Sequence, residues 1–388
     1  MTVTLGLENL LARQLDLIAG RRVGLVASPS SVDRDLTSTV TRLHQHPKVN
    51  LVVLFGPEHG LRGQAQAGES VSAYADPVTH LPVYSLYGDT HKPTPDMLQD
   101  LDVLVFDLQD GGVRFYTYLA TLANVMQAAA EQNLPLIVLD RPTPIGGHKV
   151  EGPVLDPAYR SFVGPYPIPI RYGMTMGEMA RLFNEAFGIG CPLEVVHLSG
   201  WKRGLWFDQT GLPFVPPTPN LPTLQSMTLY PGTCLAEGTN LSEGRGTTKP
   251  FEYIGAPWID AEDLAQGLND LDLPGVRFRP VYFVPTFSKY QEQPCQGVHI
   301  YVQDREKFQP IVTVLHLLAC VRSTYPDHFA WREPWVSGGH YPIDLLSGGS
   351  TVREHLDANQ PIPDLVSAWQ KALQAFCEQR ARFLMYPN

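Results

Sequence analysis

The chain has 388 residues and a formal net charge of −10, which argues against a nucleic-acid backbone as partner, because such binding rests on Lys and Arg contacts to phosphate. Apolar residues make up 44% and charged ones 18%, excluding disordered and fibrous classes, and the length suits two domains better than one core. Five cysteines are scattered without a CxxC pair, so neither a disulfide framework nor a zinc site is expected.

At the N-terminus, Leu7, Leu10, Leu11, Leu15 and Ile18 fall at helical spacing, interrupted by Glu8, Arg13 and Asp16. That is an amphipathic helix rather than a signal peptide. No run approaches the roughly 20 apolar residues that span a bilayer. The expectation is a cytoplasmic protein, exported only if a leader has been removed.

Val23 to Ala27 then reads as a strand, Leu36 to His46 as a helix and Leu51 to Phe55 as a second strand. Val103 to Phe106 and Leu136 to Leu139 are further strands. Each is continuously apolar, as parallel strands covered on both faces are. Between them Phe115, Tyr118, Leu119, Leu122 and Met126 share one helical face. The repeated βαβ order predicts an α/β fold, a doubly wound, Rossmann-like parallel sheet. The proline-dense text from Leu212 to Pro222 forbids helix and marks a junction. We therefore expect a Rossmann-like catalytic domain over 1–229 and a smaller accessory α/β domain over 230–388. The latter carries strands at Val281 to Val284 and Val298 to Val302, and helices at Pro310 to Arg322 and along Leu365, Trp369, Leu373 and Phe376.

Polar residues follow each strand of the first domain, where such sheets hold ligands: Ser28-Pro29-Ser30, Gly56-Pro57-Glu58-His59, Asp107-Leu108-Gln109-Asp110 and Asp140-Arg141. The first turn, Ser28 to Asp33, lacks G-x-G-x-x-G, and neither a Walker A sequence nor a G-x-S-x-G elbow occurs, so no nucleotide cofactor is expected. Glu58, His59, Asp107 and Asp110 have metal-ligating chemistry, yet no HExxH or histidine cluster supports a metal, and hydrogen-bonded carboxylates explain them better. The stronger pattern is a set of carboxylates on Gly- or Pro-flanked turns: Glu58, Asp107, Asp110, Glu151, Glu237 and Glu243. Glycosidic cleavage needs one acid to protonate the leaving oxygen and a second carboxylate acting on the sugar or on water. Arg62, Arg114, Arg171 and Arg245, in the same segments, suit an anionic substrate group.

Several of these strings together resemble one family. Gly56-Pro-Glu-His-Gly-Leu-Arg-Gly63, Leu81-Pro-Val-Tyr-Ser-Leu-Tyr-Gly88, Asp107-Leu-Gln-Asp110 with Arg114-Phe-Tyr-Thr-Tyr118, Glu151-Gly-Pro-Val-Leu-Asp156, Ser161-Phe-Val-Gly164, Pro219-Asn-Leu-Pro-Thr223 and Glu237-Gly-Thr-Asn-Leu-Ser-Glu-Gly-Arg-Gly-Thr-Thr248 are similar to the NamZ-type exo-β-N-acetylmuramidases, formerly DUF1343. The likeness runs from about Val23 to Tyr386. Ser28 and Ser31 stand where Asn and Gly are expected, and Tyr172 where His is expected.

The resemblance implies a catalytic cleft between a Rossmann-like domain and a C-terminal α/β domain. It also implies release of N-acetylmuramic acid from the non-reducing end of β-1,4-linked peptidoglycan fragments, a disaccharide or muropeptide being the partner. Glu58 maps onto the family's glutamate as general acid and base. The second carboxylate is sought among Glu243, Glu237, Asp110 and Glu151, in that order. His59, Arg62, Asp107, Gln109, Asp110, Arg114, Glu151, Asn220, Glu237, Asn240 and Arg245 form the expected substrate-binding set. His59 and Arg62 would orient Glu58, and Arg245 or Arg62 would meet the lactyl carboxylate of muramic acid. Retention, inversion and participation by the substrate's acetamido group all remain open. So do a non-catalytic muropeptide-binding protein and a metal-dependent hydrolase on the same scaffold.

Overall fold

A computed structural model describes residues 2–63, 73–88, 90–334 and 336–388. Its strands, in chain order, are β1 (Arg22–Ala27), β2 (Asn50–Gly56), β3 (Tyr74–Ala75), β4 (Pro82–Ser85), β5 (Val103–Asp107), β6 (Leu136–Leu139), β7 (Glu151–Val154), β8 (Pro169–Arg171), β9 (Leu193–Val196), β10 (Tyr253–Ala256), β11 (Val276–Phe283) and β12 (Cys295–Val302). The helices are α1 (Gly6–Arg13), α2 (Thr39–His44), α3 (Pro95–Leu98), α4 (Thr117–Glu131), α5 (Met176–Ala186), α6 (Leu224–Thr233), α7 (Ala261–Asp270), α8 (Pro310–Thr324), α9 (Pro342–Ser347), α10 (Thr351–Asp357) and α11 (Ile362–Arg380). Among the described residues no helix is long and apolar enough to cross a membrane.

The chain divides into two compact units. The first comprises Met1–Lys149, Tyr172–Pro219 and Glu378–Asn388, and the second Val150–Arg171 and Asn220–Cys377. The first unit holds a seven-stranded sheet in the order β3-β4-β2-β1-β5-β6-β9, parallel except for β3. The fold is thus α/β with a doubly wound parallel sheet. Val23, Leu25 and Ala27 of β1 and Val103 and Val105 of β5 share one core cluster with residues of α1 and α2. The alternate residues Val26, Leu104 and Phe106 are equally buried on the opposite face. Both faces are covered, which explains why these strands read as continuous apolar runs.

The chain moves from β1 outward through β2 to β4, then returns to the other side of β1 with β5, β6 and β9. The order reverses between β1 and β5, and the crevice beyond the carboxyl ends of the strands is where such sheets bind. Register aligns those ends: Ala27 lies beside Asp107, and Gly56 beside Ser85. The residues after β1, β2, β4, β5 and β6 therefore emerge at one edge.

The last residues of the chain are strapped into the first unit. Tyr386 Oη donates to Asp140 Oδ2 at 2.5 Å and accepts from Leu198 N at 3.0 Å, while Met385 N donates to Glu178 Oε1 at 2.7 Å. Glu178 also forms a buried ion pair with Arg203.

The second unit contains an antiparallel sheet, β10-β12-β11, and the β7-β8 hairpin. Helix α7 packs on β11 and β12, and α6 on α8. It is a smaller α/β body, and its bounds differ from a simple division at 229/230: Val150–Arg171 belong to it, and Glu378–Asn388 belong to the first unit.

Candidate active site

Glu58 sits on a turn that strand β2 forces into being. Gly56 ends the strand, and a Cβ there would meet the Leu61 backbone nitrogen at 2.6 Å, so the chain folds back on itself only with glycine at that place. The turn closes through Gly60 N to Pro57 O at 2.9 Å. Its central pair is Glu58 and His59, and His59 has φ of 73°, a left-handed position that normally selects Gly or Asn. The buried imidazole compensates by a 2.8 Å hydrogen bond between Nε2 and Thr218 Oγ1. His59 thus holds the turn that presents Glu58.

The half-buried Glu58 carboxylate accepts from Thr117 Oγ1 at 2.8 Å through Oε2. Thr117 is the first residue of α4, so the carboxylate lies at a helix N-terminus, where negative charge is favoured. The Tyr87 hydroxyl, just beyond β4, also hydrogen-bonds to Glu58. Burial, reinforced by the Glu58 charge, pushes the Tyr87 phenol up to about 12, so at neutral pH it is a donor. Arg62 is directed elsewhere on the same loop. Its Nε and Nη2 grip the fully buried Asp76 at 2.7 to 2.9 Å, and Asp76 in turn accepts from Thr79 N and Oγ1.

The residues after β5 are packed more deeply. Asp107 is 1% exposed; Arg141 Nε and Nη2 donate to its two oxygens at 2.5 and 2.9 Å, and Thr39 Oγ1 adds a third bond at 2.5 Å. Ser31 Oγ donates to the Asp107 carbonyl, joining β1 to β5 at the reversal point of the sheet. Gln109 donates through Nε2 to Pro142 O at 2.9 Å. Asp110 Oδ2 accepts from Gly112 N at 2.7 Å and from the Tyr172 hydroxyl, whereas Oδ1 has no partner among the described residues. Burial therefore pushes the Asp110 carboxyl up to about 6. Tyr172, where a histidine is expected, serves as its donor. Arg114 is fully buried, and burial brings its guanidinium down to about 9.

The second unit carries its own polar segment. Arg245 donates to Glu237 Oε1 through Nη2 at 2.5 Å, pairs with Glu243 Oε1 at 3.2 Å, and lies 5.0 Å from the centre of the Phe251 ring. The Glu243 side chain is 3% exposed and also pairs through Oε2 with Lys289 Nζ at 3.1 Å; the Glu237 side chain is 26% exposed. Lys289 donates in addition to the carbonyls of Ala236 and Leu241 at 3.0 and 2.8 Å. Its loop is strained, with Ser288, Tyr290 and Glu292 all at positive φ. Asn240 spans the 328–330 segment: its Nδ2 donates to His328 O at 2.7 Å and its Oδ1 accepts from Ala330 N at 3.0 Å. Glu151 lies opposite Arg171 in the β7-β8 hairpin, paired at 3.3 Å, and Asn220 is buried at the start of the second part of this unit.

The structure thus brings Glu237, Glu243 and Arg245 together, and separately sets Glu58 and His59 on one turn. Asp107 and Arg62 are each committed to another buried partner. Thr117, Thr218, Lys289 and the Tyr87 hydroxyl are partners that sequence reasoning missed. A hydroxyl inside Arg114-Phe-Tyr-Thr-Tyr118 was the one available signal for Thr117. Among the described residues no group of three or more His, Cys, Asp or Glu side chains converges as a metal site would require.

Two family models cover the chain. "Exo-beta-N-acetylmuramidase NamZ, N-terminal" matches residues 23–225, and "Exo-beta-N-acetylmuramidase NamZ, C-terminal" matches residues 228–386. The chain is 48% identical over 384 residues to the peptidoglycan beta-N-acetylmuramidase NamZ of Bacillus subtilis (strain 168), covering 99% of this chain and 91% of that one. Crystal structures of two DUF1343 family proteins from Bacteroides fragilis NCTC 9343 are also similar. One is 40% identical with a TM-score of 0.90 over 99% of each chain, and the other 28% identical with a TM-score of 0.77 over the full length of both. With both halves matched in order and nearly the whole length aligned, the chain belongs to the NamZ exo-β-N-acetylmuramidase family.

Proposed function

We propose that the protein is an exo-acting glycoside hydrolase that releases N-acetylmuramic acid from the non-reducing end of β-1,4-linked peptidoglycan fragments such as MurNAc-GlcNAc, with Glu58 as general acid and base. The observation that carries this reading is the Glu58 carboxyl group itself. It is half-buried at a strand end and fixed by two hydroxyl donors on a turn that His59 locks in a costly conformation. Backbone strain of about 1–3 kcal/mol persists where surrounding contacts over-determine it, and such places cluster at active sites.

In the reaction, protonated Glu58 gives its proton to the bridging oxygen as the bond to the anomeric carbon breaks. The resulting carboxylate then takes a proton from the incoming water. Such proton transfer contributes roughly 10²- to 10⁴-fold in rate. Thr117 and Tyr87 hold the carboxyl group in position for both transfers by hydrogen bonding.

For the second carboxylate, Glu243 remains the proposal, with a specific part. With both oxygens in ion pairs, it fixes Arg245 and Lys289 and acts electrostatically. Glu237, the more exposed partner of Arg245, is the alternative for direct contact. Arg245 is preferred to Arg62 for the lactyl carboxylate of muramic acid, because the Arg62 fork is already filled by Asp76.

Incubation with MurNAc-GlcNAc and with longer glycans tests the reading. Free N-acetylmuramic acid and chains shortened by one ring are expected; internal cleavage products or no release would contradict it. Proton NMR of the first-formed anomer separates retention from inversion.

A further inference from the structure

The second unit contains a cavity of about 460 Å³ lined by Arg322, Pro326, Phe329, Trp331, Asp357 and Asn359, among others. No residue of the proposed reaction faces it, and its size falls within the roughly 300–1,000 Å³ of small-molecule sites. Its polar groups form one fixed network. Trp331 Nε1 donates to Asp357 Oδ1 at 2.8 Å; Arg322 donates through Nε to the same oxygen at 3.2 Å and through Nη1 to Asn359 Oδ1 at 2.8 Å. Phe329 packs edge-to-face with Trp331, ring centres 5.0 Å apart, so the indole plane is set from two directions.

The wall carrying both rings is rigid for a separate reason. Asn240 N donates to Ala330 O at 2.9 Å, Ala330 N donates to Asn240 Oδ1 at 3.0 Å, Arg332 N donates to Gly238 O at 2.9 Å, and Thr239 forms a β-bridge with Trp331. The cavity wall is thus an extension of the Glu237–Glu243 segment.

We propose that this cavity binds an N-acetylated amino-sugar ring of the glycan chain. Saccharides are held by an aromatic face for their C–H surface together with planar amide, carboxylate and guanidinium groups for hydroxyl and acetamido groups. All four are present here. The Asn359 amide accepts from Arg322 and so turns its NH₂ donors outward. Among the described residues Asp357 Oδ2 has only Arg353, 4.0 Å away, and keeps acceptor capacity. Charge argues for a neutral ring over the acidic stem peptide of peptidoglycan. Arg322 and Arg353 are matched by Asp357 and Asp344, so the network offers no net positive charge. The inference takes its ligand class from the muramidase reading.

The test is isothermal titration of the full chain with triacetylchitotriose, which lacks a terminal muramic acid and so is no substrate for the proposed activity. Saturable binding with a Kd of about 1 mM or tighter is expected, weakened at least about tenfold in Trp331→Ala and measurably in Asn359→Ala. Asn359 is exposed, so its variant decides the matter if Trp331→Ala fails to fold. Absence of binding by the native chain, equal affinity in the folded variants, or binding of a stem peptide in place of the trisaccharide would overturn the proposal. Hydrolysis of a chromogenic muramic acid glycoside by the same preparation reports on the muramidase reading separately.

Discussion

Thr117 Oγ1 donates to Glu58 Oε2 at 2.8 Å, joining residues 59 positions apart in sequence. The bond ties the first residue of α4 to the turn after β2, so the carboxylate is held from a rigid helix and not from its own loop alone. A hydrogen bond to a charged group contributes about 1.5–3 kcal/mol. Thr117→Val, which keeps shape and removes the donor, should lower kcat by roughly tenfold or more, with KM changed little. Steady-state kinetics on a chromogenic muramic acid glycoside checks this; a variant affected only in KM would place Thr117 in substrate binding.

A pH effect follows from Asp110. Its folded carboxyl is raised to about 6 by burial, from 3.8 when free. The folded state therefore binds the proton more tightly than the unfolded one. The stabilisation this gives is complete below about pH 4 and is lost as pH rises through about 6. The difference is worth up to about 3 kcal/mol. Asp110→Asn cannot ionise and keeps an acceptor for Tyr172 and Gly112 N. Urea unfolding from pH 4 to 7 should show the variant gaining stability relative to the native chain as pH rises; a constant difference would contradict the assignment.

Much of this architecture was legible in the sequence, for a physical reason. Strands β1, β2, β5 and β6 are buried on both faces and so carry unbroken apolar runs, whereas β4 begins with Pro82 and is half-exposed, and β9 is exposed at Glu194. These give no comparable signal. β11 alternates buried Val276 and Phe278 with exposed Arg277 and Arg279, but Pro280 within it conceals the pattern. At the candidate site, Glu58 announced itself through its glycine-punctuated turn. Its hydroxyl partners did not, because they reach it by tertiary pairing from segments distant in sequence, the start of α4 and the residues just beyond β4. The commitment of Arg62 to Asp76 and of Asp107 to Arg141 was hidden for the same reason: a charged residue on a polar turn reads alike whether its partner is a substrate or another side chain.

The C-terminal strap gives a stability prediction. Tyr386→Phe leaves Asp140 without its 2.5 Å donor and Leu198 N without its acceptor. Burial already pushes the Asp140 carboxyl up to about 6, so losing a donor adds to an existing cost. A loss of about 2–4 kcal/mol is expected in chemical denaturation near neutral pH. Full native stability in the variant would show that the strap is held by its backbone contacts instead.

The most direct measurement is the turnover of Glu58→Gln on a chromogenic muramic acid glycoside. Glutamine preserves the size of the side chain and can still accept from Thr117, but it cannot deliver a proton. A fall in kcat of at least roughly 10²-fold, about 3 kcal/mol of barrier, in a variant with native thermal stability is the predicted result. Turnover near the native rate in the folded variant would contradict the role assigned to Glu58 and, with it, the account of this site.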